Sequence, residues 1–374
     1  MNIAVQAADL DGERIDGTRV YLWQLLNWFG SLAPMDTFSL YHRTTFNNQL
    51  TPPNFPNYQV HSIPQPLFWT QTRLALALRN HRPDALWMPV QSVPVFRSKK
   101  IKTTVTIHDL AFRYFPESFP WKDRYKLFAL ATLAIRNADR LIAVSEHTKK
   151  DILHFYPDIE AEKITVVHHG YDKEMFEKES DVSETRALLE KYKLQENRYL
   201  LYVGALQPRK NLVTLIHAFE MLKKKAGFED IKLVLAGERA WLWESIDSAR
   251  EKSRYRDDII ITGKLPFAHI KIFYKKANAF IYPSLYEGFG LPLLEGFSAG
   301  IPVISARNSS LTEVGGEAPL YFDPLSKKEL ANTLEDVVTN EKLREQCIAE
   351  GKKRLELFSW EKCAKETLTV IRGE

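Results

Sequence analysis

The sequence predicts an α/β protein of two domains, each a parallel sheet wrapped by crossover helices. Three observations carry this. The chain has 374 residues, long for one hydrophobic core and comfortable for two. Short apolar runs alternate with longer amphipathic segments, the pattern of parallel strands joined by helices. The pattern then restarts after a stretch from Gly170 to Ser180 that is poor in apolar residues and rich in charge.

The elements follow in order. Asn2-Ile3-Ala4-Val5 opens an apolar strand over 2–6, and further strands are expected at 37–41, 84–88, 103–107, 140–144 and 163–168. Helices are expected over 17–32, 69–80, 120–138 and 145–155. In the second half Tyr199-Leu200-Leu201-Tyr202-Val203 is a strand. Leu212, Leu215, Ile216, Phe219 and Leu222 then recur at helical spacing, and Lys223-Lys224-Lys225 places positive charge at the negative end of that helix. Strands at 231–236, 259–262, 279–282 and 301–305 complete the second sheet, and a last helix starts near Trp360 after the break at Phe358-Ser359. The expected domains are 1–178 and 179–359.

Composition narrows the function classes. The chain is 45% hydrophobic and 26% charged, as an ordinary folded protein is. With 51 basic and 47 acidic residues the net charge is +4, too balanced to argue for nucleic-acid binding. Weak attraction to an anionic membrane or a phosphorylated ligand stays compatible with it. Cys347 and Cys363 belong to no C-x-x-C pair or Cys/His cluster, so neither a disulfide framework nor a structural zinc site is supported. The N-terminus lacks the pattern of a signal peptide, and no apolar run would span a bilayer. The expectation is a cytoplasmic protein, with peripheral contact at the inner face of the membrane left open. The sequon Asn308-Ser309-Ser310 then carries no glycosylation reading.

In open parallel sheets, ligands bind beyond the carboxyl ends of the strands. After the strand ending at Pro283 comes Ser284-Leu285-Tyr286-Glu287-Gly288-Phe289-Gly290-Leu291-Pro292-Leu293-Leu294-Glu295. Gly288 and Gly290 allow close backbone approach, Pro292 suits a first helical turn, and the N–H groups there form an anion site. The bland alternative is a tight turn followed by a carboxylate that the helix dipole favours. After the strand ending at Val203 comes Gly204-Ala205-Leu206-Gln207-Pro208-Arg209-Lys210-Asn211. Two adjacent cations at a helix N-terminus oppose its dipole and make sense if an anion such as a diphosphate sits there. The bland alternative is a pair of solvated surface cations.

These segments carry a resemblance. Glu287 and Glu295, eight apart around Gly-Phe-Gly-Leu-Pro, resemble the E-x7-E motif of glycosyltransferase family 4, whose members have the GT-B fold: two Rossmann-like domains with parallel sheets facing across a cleft. Gly204 to Asn211 resembles that family's diphosphate loop, and Ser310-Leu311-Thr312-Glu313-Val314 resembles the segment that follows. The likeness is strong from about 199 to 360 and weaker through the first half. It implies a retaining hexosyltransferase that takes a mannose-type or glucose-type sugar from a GDP- or UDP-linked donor to a glycan or lipid-linked acceptor, a role in polysaccharide biosynthesis. No metal or other cofactor is expected.

The resemblance also implies residue roles. Glu295 would accept from the ribose hydroxyls, Arg209 and Lys210 would neutralise the diphosphate, and Gly204 would let the loop come close. Glu287 would contact the transferred hexose, helped by the backbone of Gly288, Phe289, Gly290 and Leu291. Many relatives carry arginine where this chain has Ala205, so Arg209 is expected to take over that role. Gly17, in Asp16-Gly17-Thr18-Arg19, resembles the glycine loop near the diphosphate, with Asp16 departing from the usual small residue. His108, at the end of Thr106-Ile107-His108-Asp109, matches a family residue close to the transferred sugar, although a lone histidine is more often structural. Ser145 is a candidate for the cleft wall. The last helix, 360–374, would return to complete the first domain.

Rival readings have weaker support. Gly296-Phe297-Ser298-Ala299-Gly300 matches the G-x-S-x-G of serine hydrolases but falls at the end of a helix rather than at a strand–turn–helix elbow. Asp9-Leu10-Asp11 is the one D-x-D match and sits just after the first strand. No G-x-G-x-x-G or P-loop is present. A non-catalytic sugar-nucleotide-binding protein, or a related phosphorylase or epimerase, would share the binding residues. The aromatic and basic run from Phe112 to Lys126, with Arg113, Tyr114, Phe115, Trp121, Lys122 and Arg124, would meet a glycan, a lipid-linked carrier or a membrane surface, or else form a solvated helix face.

Overall fold

The computed structural model describes residues 1–13, 15–64, 67–177 and 180–374. The chain divides into two compact units. One comprises Met1–Arg113, Lys122–Gly170 and Phe358–Glu374, the other Tyr114–Trp121 and Tyr171–Leu357. The boundary expected at 178 and 179 falls on residues outside the described set. Residues 114–121, expected in the first domain, group with the second unit.

The first unit holds seven strands: β1 (Asn2–Gln6), β2 (Thr37–His42), β3 (Tyr58–Ser62), β4 (Ala85–Met88), β5 (Lys102–Ile107), β6 (Arg140–Ala143) and β7 (Ile164–Val166). All pair in parallel, in the order β3-β2-β1-β4-β5-β6-β7. Its helices are α1 (Gly17–Leu32), α2 (Ala75–His81), α3 (Ala111–Tyr114), α4 (Trp121–Asn137) and α5 (Glu146–Phe155). Asp16 caps α1, accepting from Arg19 N at 3.2 Å. The helix then buries Tyr21, Leu22, Leu25, Leu26 and Phe29 along one face. β3 was not foreseen, because Tyr58-Gln59-Val60-His61-Ser62 is half polar and forms the exposed edge of the sheet. The expected helix over 69–80 begins as a π-helical turn, Thr70–Leu74, before α2.

The C-terminal helix (Trp360–Arg372) groups with this unit. It buries Trp360, Cys363, Ala364, Thr367, Leu368 and Ile371, a stripe at helical spacing, against α1 and strands β4 to β6. Its start fits because residue 170 is glycine: a Cβ there would lie 2.0 Å from Trp360 N. Arg372 anchors its end on Asp36, 2.7 Å away.

The second unit repeats the plan with six parallel strands: β8 (Tyr199–Val203), β9 (Lys232–Ala236), β10 (Ile259–Gly263), β11 (Ala279–Tyr282), β12 (Val303–Ala306) and β13 (Leu320–Phe322), in the order β10-β9-β8-β11-β12-β13. Around them lie α6 (Glu174–Glu177), α7 (Val182–Lys191), α8 (Leu212–Lys223), α9 (Glu244–Lys252), α10 (Phe267–Lys276), α11 (Leu291–Ser298), α12 (Ser309–Gly315), α13 (Lys327–Thr339) and α14 (Glu341–Leu355). β13 is three residues long and left no legible pattern. In each unit the strand order reverses beside its first strand, at β1/β4 and at β8/β11, and such switch points are where doubly wound sheets open a ligand crevice.

Candidate active site

The loops after β8 and β11 flank the switch point of the second unit, and their charged side chains meet. Lys210 Nζ lies 2.5 Å from Glu287 Oε1, and Arg209 Nη1 lies 3.2 Å from Glu287 Oε2. Lys210 also donates to the Tyr282 hydroxyl at 3.1 Å, and Arg209 donates to the Tyr286 carbonyl. Lys210 and Glu287 are both buried. Burial alone would push the Glu287 carboxyl up, but the charges of Arg209 and Lys210 outweigh it and hold it at about 2. Two cations against one carboxylate leave this buried cluster with net positive charge.

The chain is built to hold that cluster. Asn211, at φ 58°, donates to the carbonyls of Pro283 (3.1 Å) and Pro324 (2.8 Å), and Leu285 N donates to Arg209 O at 2.9 Å, so the two loops are tied together. On the other side Glu287 N donates to Ser309 Oγ (3.0 Å), Ser310 Oγ donates to the carbonyls of Glu287 and Phe289 (both 2.9 Å), and Asn308 donates to Ser284 O. The sequon Asn308-Ser309-Ser310 is thus the brace of the Glu287 loop. Gly204 and Gly237 are required where two loops nearly touch: a Cβ on Gly237 would lie 1.9 Å from Gly204 O. Gly290, at φ 104°, turns the chain into α11. Gly288 and Phe289 are buried in the same loop, and Leu291 is the first residue of α11.

Glu295 has a different environment. It lies one turn into α11, half-buried, and accepts from the Tyr274 hydroxyl at 2.9 Å. Burial pushes its carboxyl up, the Tyr274 hydrogen bond opposes that, and the Asp172 charge adds to it. The two glutamates of one motif therefore differ: Glu287 is a paired anion, and Glu295 forms no ion pair among the described residues. Tyr274 and Tyr282, which hold Glu295 and Lys210, were missed in sequence. As aromatic residues on or beside apolar runs they are indistinguishable there from core.

In the first unit His108 sits just past β5. Its Nε2 lies 2.8 Å from the Pro89 carbonyl, and its ring packs edge-on to Tyr21 at 5.0 Å. Burial lowers its pKa, more than the Pro89 bond and the nearby carboxylates raise it. The ring is therefore neutral at pH 7, with its N–H given to Pro89 and Nδ1 left as an acceptor. His169, not singled out in sequence, is buried beside it, 5.6 Å ring to ring, and stacks on Tyr21 at 4.6 Å. Gly17 is the first residue of α1, directly behind the Asp16 cap. Ser145, the candidate for the cleft wall, caps α5 just past β6, accepting from Thr148 N at 3.0 Å. Asp11 accepts from the backbone of Arg43 and Thr44 and pairs with His42, and Asp9 accepts from Gln6. Among the described residues no three of His, Cys, Asp and Glu gather as metal ligands would. Ser298 ends α11 rather than sitting on an elbow.

The profile of glycosyl transferases group 1 matches residues 184–354, and that of glycosyltransferase family 4 matches residues 16–175. Among curated relatives, O-antigen chain mannosyltransferase B of Escherichia coli is 28% identical over 80% of this chain and 77% of that protein. O-antigen chain mannosyltransferase RfbU of Salmonella typhimurium is 26% identical over 72% of this chain and 69% of that one. Among solved structures, sucrose-phosphate synthase from Thermosynechococcus elongatus matches with a TM-score of 0.76 at 20% identity, over 100% of this chain and 98% of that one. Anabaena HepE in complex with UDP and glucose matches with a TM-score of 0.76 at 16% identity, over 100% and 99%. The fold is GT-B.

Proposed function

Given that the chain belongs to the family 4, group 1 glycosyltransferases, we propose that it transfers a mannose-type hexose from a nucleotide sugar to a hydroxyl of a glycan or lipid-linked acceptor, with retention of configuration. The observation that carries the reading is the buried Arg209–Glu287–Lys210 cluster at the β8/β11 switch point. Its net positive charge suits a diphosphate, and the names of two relatives favour mannose as the sugar. GDP-mannose is the first donor to test, and UDP-linked hexoses, one of which, UDP-glucose, is found in complex with Anabaena HepE, are the second.

The chemistry follows from the groups present. A diphosphate arriving at Arg209 and Lys210 competes with Glu287 for the same N–H donors and frees carboxylate oxygens toward the hexose hydroxyls. As the glycosidic bond breaks, charge grows on the departing diphosphate, and the two preplaced cations stabilise it without reorganising. That diphosphate then accepts the proton of the attacking hydroxyl on the same face. Glu295 takes the ribose hydroxyls, with Tyr274 fixing its orientation. In the first unit, neutral His108 offers Nδ1 to a hydroxyl.

The test is thermal stabilisation of wild type and Glu295→Ala by a panel of GDP- and UDP-sugars, since a ligand of the folded state raises the melting temperature. One class should stabilise wild type, and the variant should lose that response while staying folded. A wild type unmoved by every donor sinks the reading.

A further inference from the structure

A short segment from the chain's first half belongs to the second unit. Tyr114-Phe115-Pro116-Glu117-Ser118-Phe119-Pro120 follows α3 on the way from β5 to β6, yet residues 114–121 group with the unit that carries the donor loops. Its two prolines fix their own φ angles. Ser118 N closes a 3-10 turn on Phe115 O at 3.0 Å, so the segment is short and stiff.

The segment grips the second unit at two points. Trp241 Nε1 donates to Ser118 O at 2.7 Å, and the Phe119 ring packs on the Trp241 ring with centroids 5.9 Å apart. At its other end the rings of Tyr114 and Phe115 pack on Tyr286, at 5.4 and 6.3 Å. Ser118 and Tyr286 are each 4% exposed, although neither lies in a strand or an α-helix. Both are therefore covered by tertiary contacts rather than by a regular element.

Both grips lead to the buried cation cluster. Trp241 lies on the loop between β9 and α9, and that loop bonds the diphosphate loop in both directions. Leu206 N donates to Glu238 O at 2.8 Å, and Ala240 N donates to Leu206 O at 3.0 Å. Leu206 is followed closely by Arg209. Leu242, beside Trp241, takes φ 57°, a conformation costly for leucine that the surrounding contacts must hold. Tyr286 immediately precedes Glu287, and its carbonyl accepts from Arg209. A shift at either grip thus reaches Arg209 or Glu287. A binding constellation keeps its affinity only when the residues behind it hold its geometry, because a loosened loop must be reordered by the ligand. We propose that residues 114–119 brace the donor loops, with Trp241 and Tyr114 as positioning residues for diphosphate binding. This rests on the reading of those loops as the donor site.

The test is calorimetric binding of GDP and UDP to the full chain, in wild type, Trp241→Phe, Tyr114→Ala and Tyr114→Phe. Each is measured well below its own melting temperature, so unfolding does not imitate weak binding. Trp241→Phe keeps a ring against Phe119 and removes the N–H donor. It should weaken the nucleoside diphosphate that wild type binds by about three- to fivefold, the worth of one neutral hydrogen bond. Tyr114→Ala should weaken it by about as much through the lost ring contact. Tyr114→Phe keeps the ring on Tyr286 and should bind as wild type does. Trp241→Phe or Tyr114→Ala binding as wild type overturns the brace, whatever the melting temperature, since the contact then serves the fold alone. Tyr114→Phe as weak as Tyr114→Ala also overturns it, because the ring contact is then not what acts. A wild type that binds neither GDP nor UDP sinks the donor reading itself, and the brace with it.

Discussion

The two units share a strand plan and differ in how the helices beside their first strands begin. In the first unit the helices after β1 and β6 are closed by their own side chains, Asp16 on α1 and Ser145 on α5. In the second unit the five helices that follow β8 to β12 all begin without a side-chain cap. α8 and α11, which flank the switch point, instead face Arg209, Lys210 and Glu287. An uncapped N-terminus leaves N–H donors for something else to satisfy. The difference teaches that two strand ends of the first sheet are completed from within, while those at the switch point of the second carry N–H donors and cations, which suits the anionic ligand proposed there.

Removing Glu287 should break the comparison most severely. Glu287→Ala removes the buried carboxylate that pairs with both Arg209 and Lys210, at a cost of about 3–5 kcal/mol, seen as a large fall in melting temperature. Added nucleoside diphosphate should recover much of the loss, because its phosphates replace the missing carboxylate. The same ion pairs set an acid limit. The folded pKa of Glu287 is depressed from 4.5 to about 2, so its contribution is present above pH 4.5 and lost as pH falls toward 2. Glu287→Gln should flatten that part of the stability–pH curve.

Next in size is Lys210→Ala. Loss of a charge-assisted hydrogen bond worth roughly 1.5–3 kcal/mol should weaken donor binding by about one to two orders of magnitude, measurable by calorimetry.

Glu295→Gln should act in two directions. Binding should weaken about tenfold with the loss of one strong acceptor. The unliganded protein should be more stable at pH 7 to 8. The folded pKa of Glu295 is raised, so its folded state is favoured below pH 4.5 and that advantage is lost as pH rises through the folded pKa. A variant less stable than wild type at pH 8 would show that the carboxylate is supported by more than Tyr274.

The smallest effect belongs to the first unit. His108→Asn should lower kcat by about tenfold, the worth of one neutral hydrogen bond, while leaving donor-induced thermal stabilisation unchanged. Loss of that stabilisation would place His108 in donor binding and blur the contrast between the units.

Much of this was legible in the sequence, and the gaps have physical causes. α1 was foreseen over its full span, Gly17–Leu32, but the capping role of Asp16 was not, since the residue read there as part of a glycine loop. β3 was missed because its edge position permits Gln59 and His61 where a buried strand would be apolar. In the site, Arg209, Lys210, Glu287 and Glu295 stand out as charges placed just past strands. Their partners do not. Tyr274 and Tyr282 look like core, and Ser309 and Ser310 look like a sequon, because hydrogen bonds between distant segments leave no local pattern.

The claim at the centre is that the uncapped, cationic switch point of the second unit holds a diphosphate. The direct measurement is the affinity of nucleoside diphosphates against monophosphates, for guanosine and uridine, in wild type and Lys210→Ala. In one base series wild type should prefer the diphosphate by at least about tenfold, and the variant should lose most of that preference. If wild type binds both phosphorylation states equally, or if the preference survives without Lys210, the diphosphate lies elsewhere.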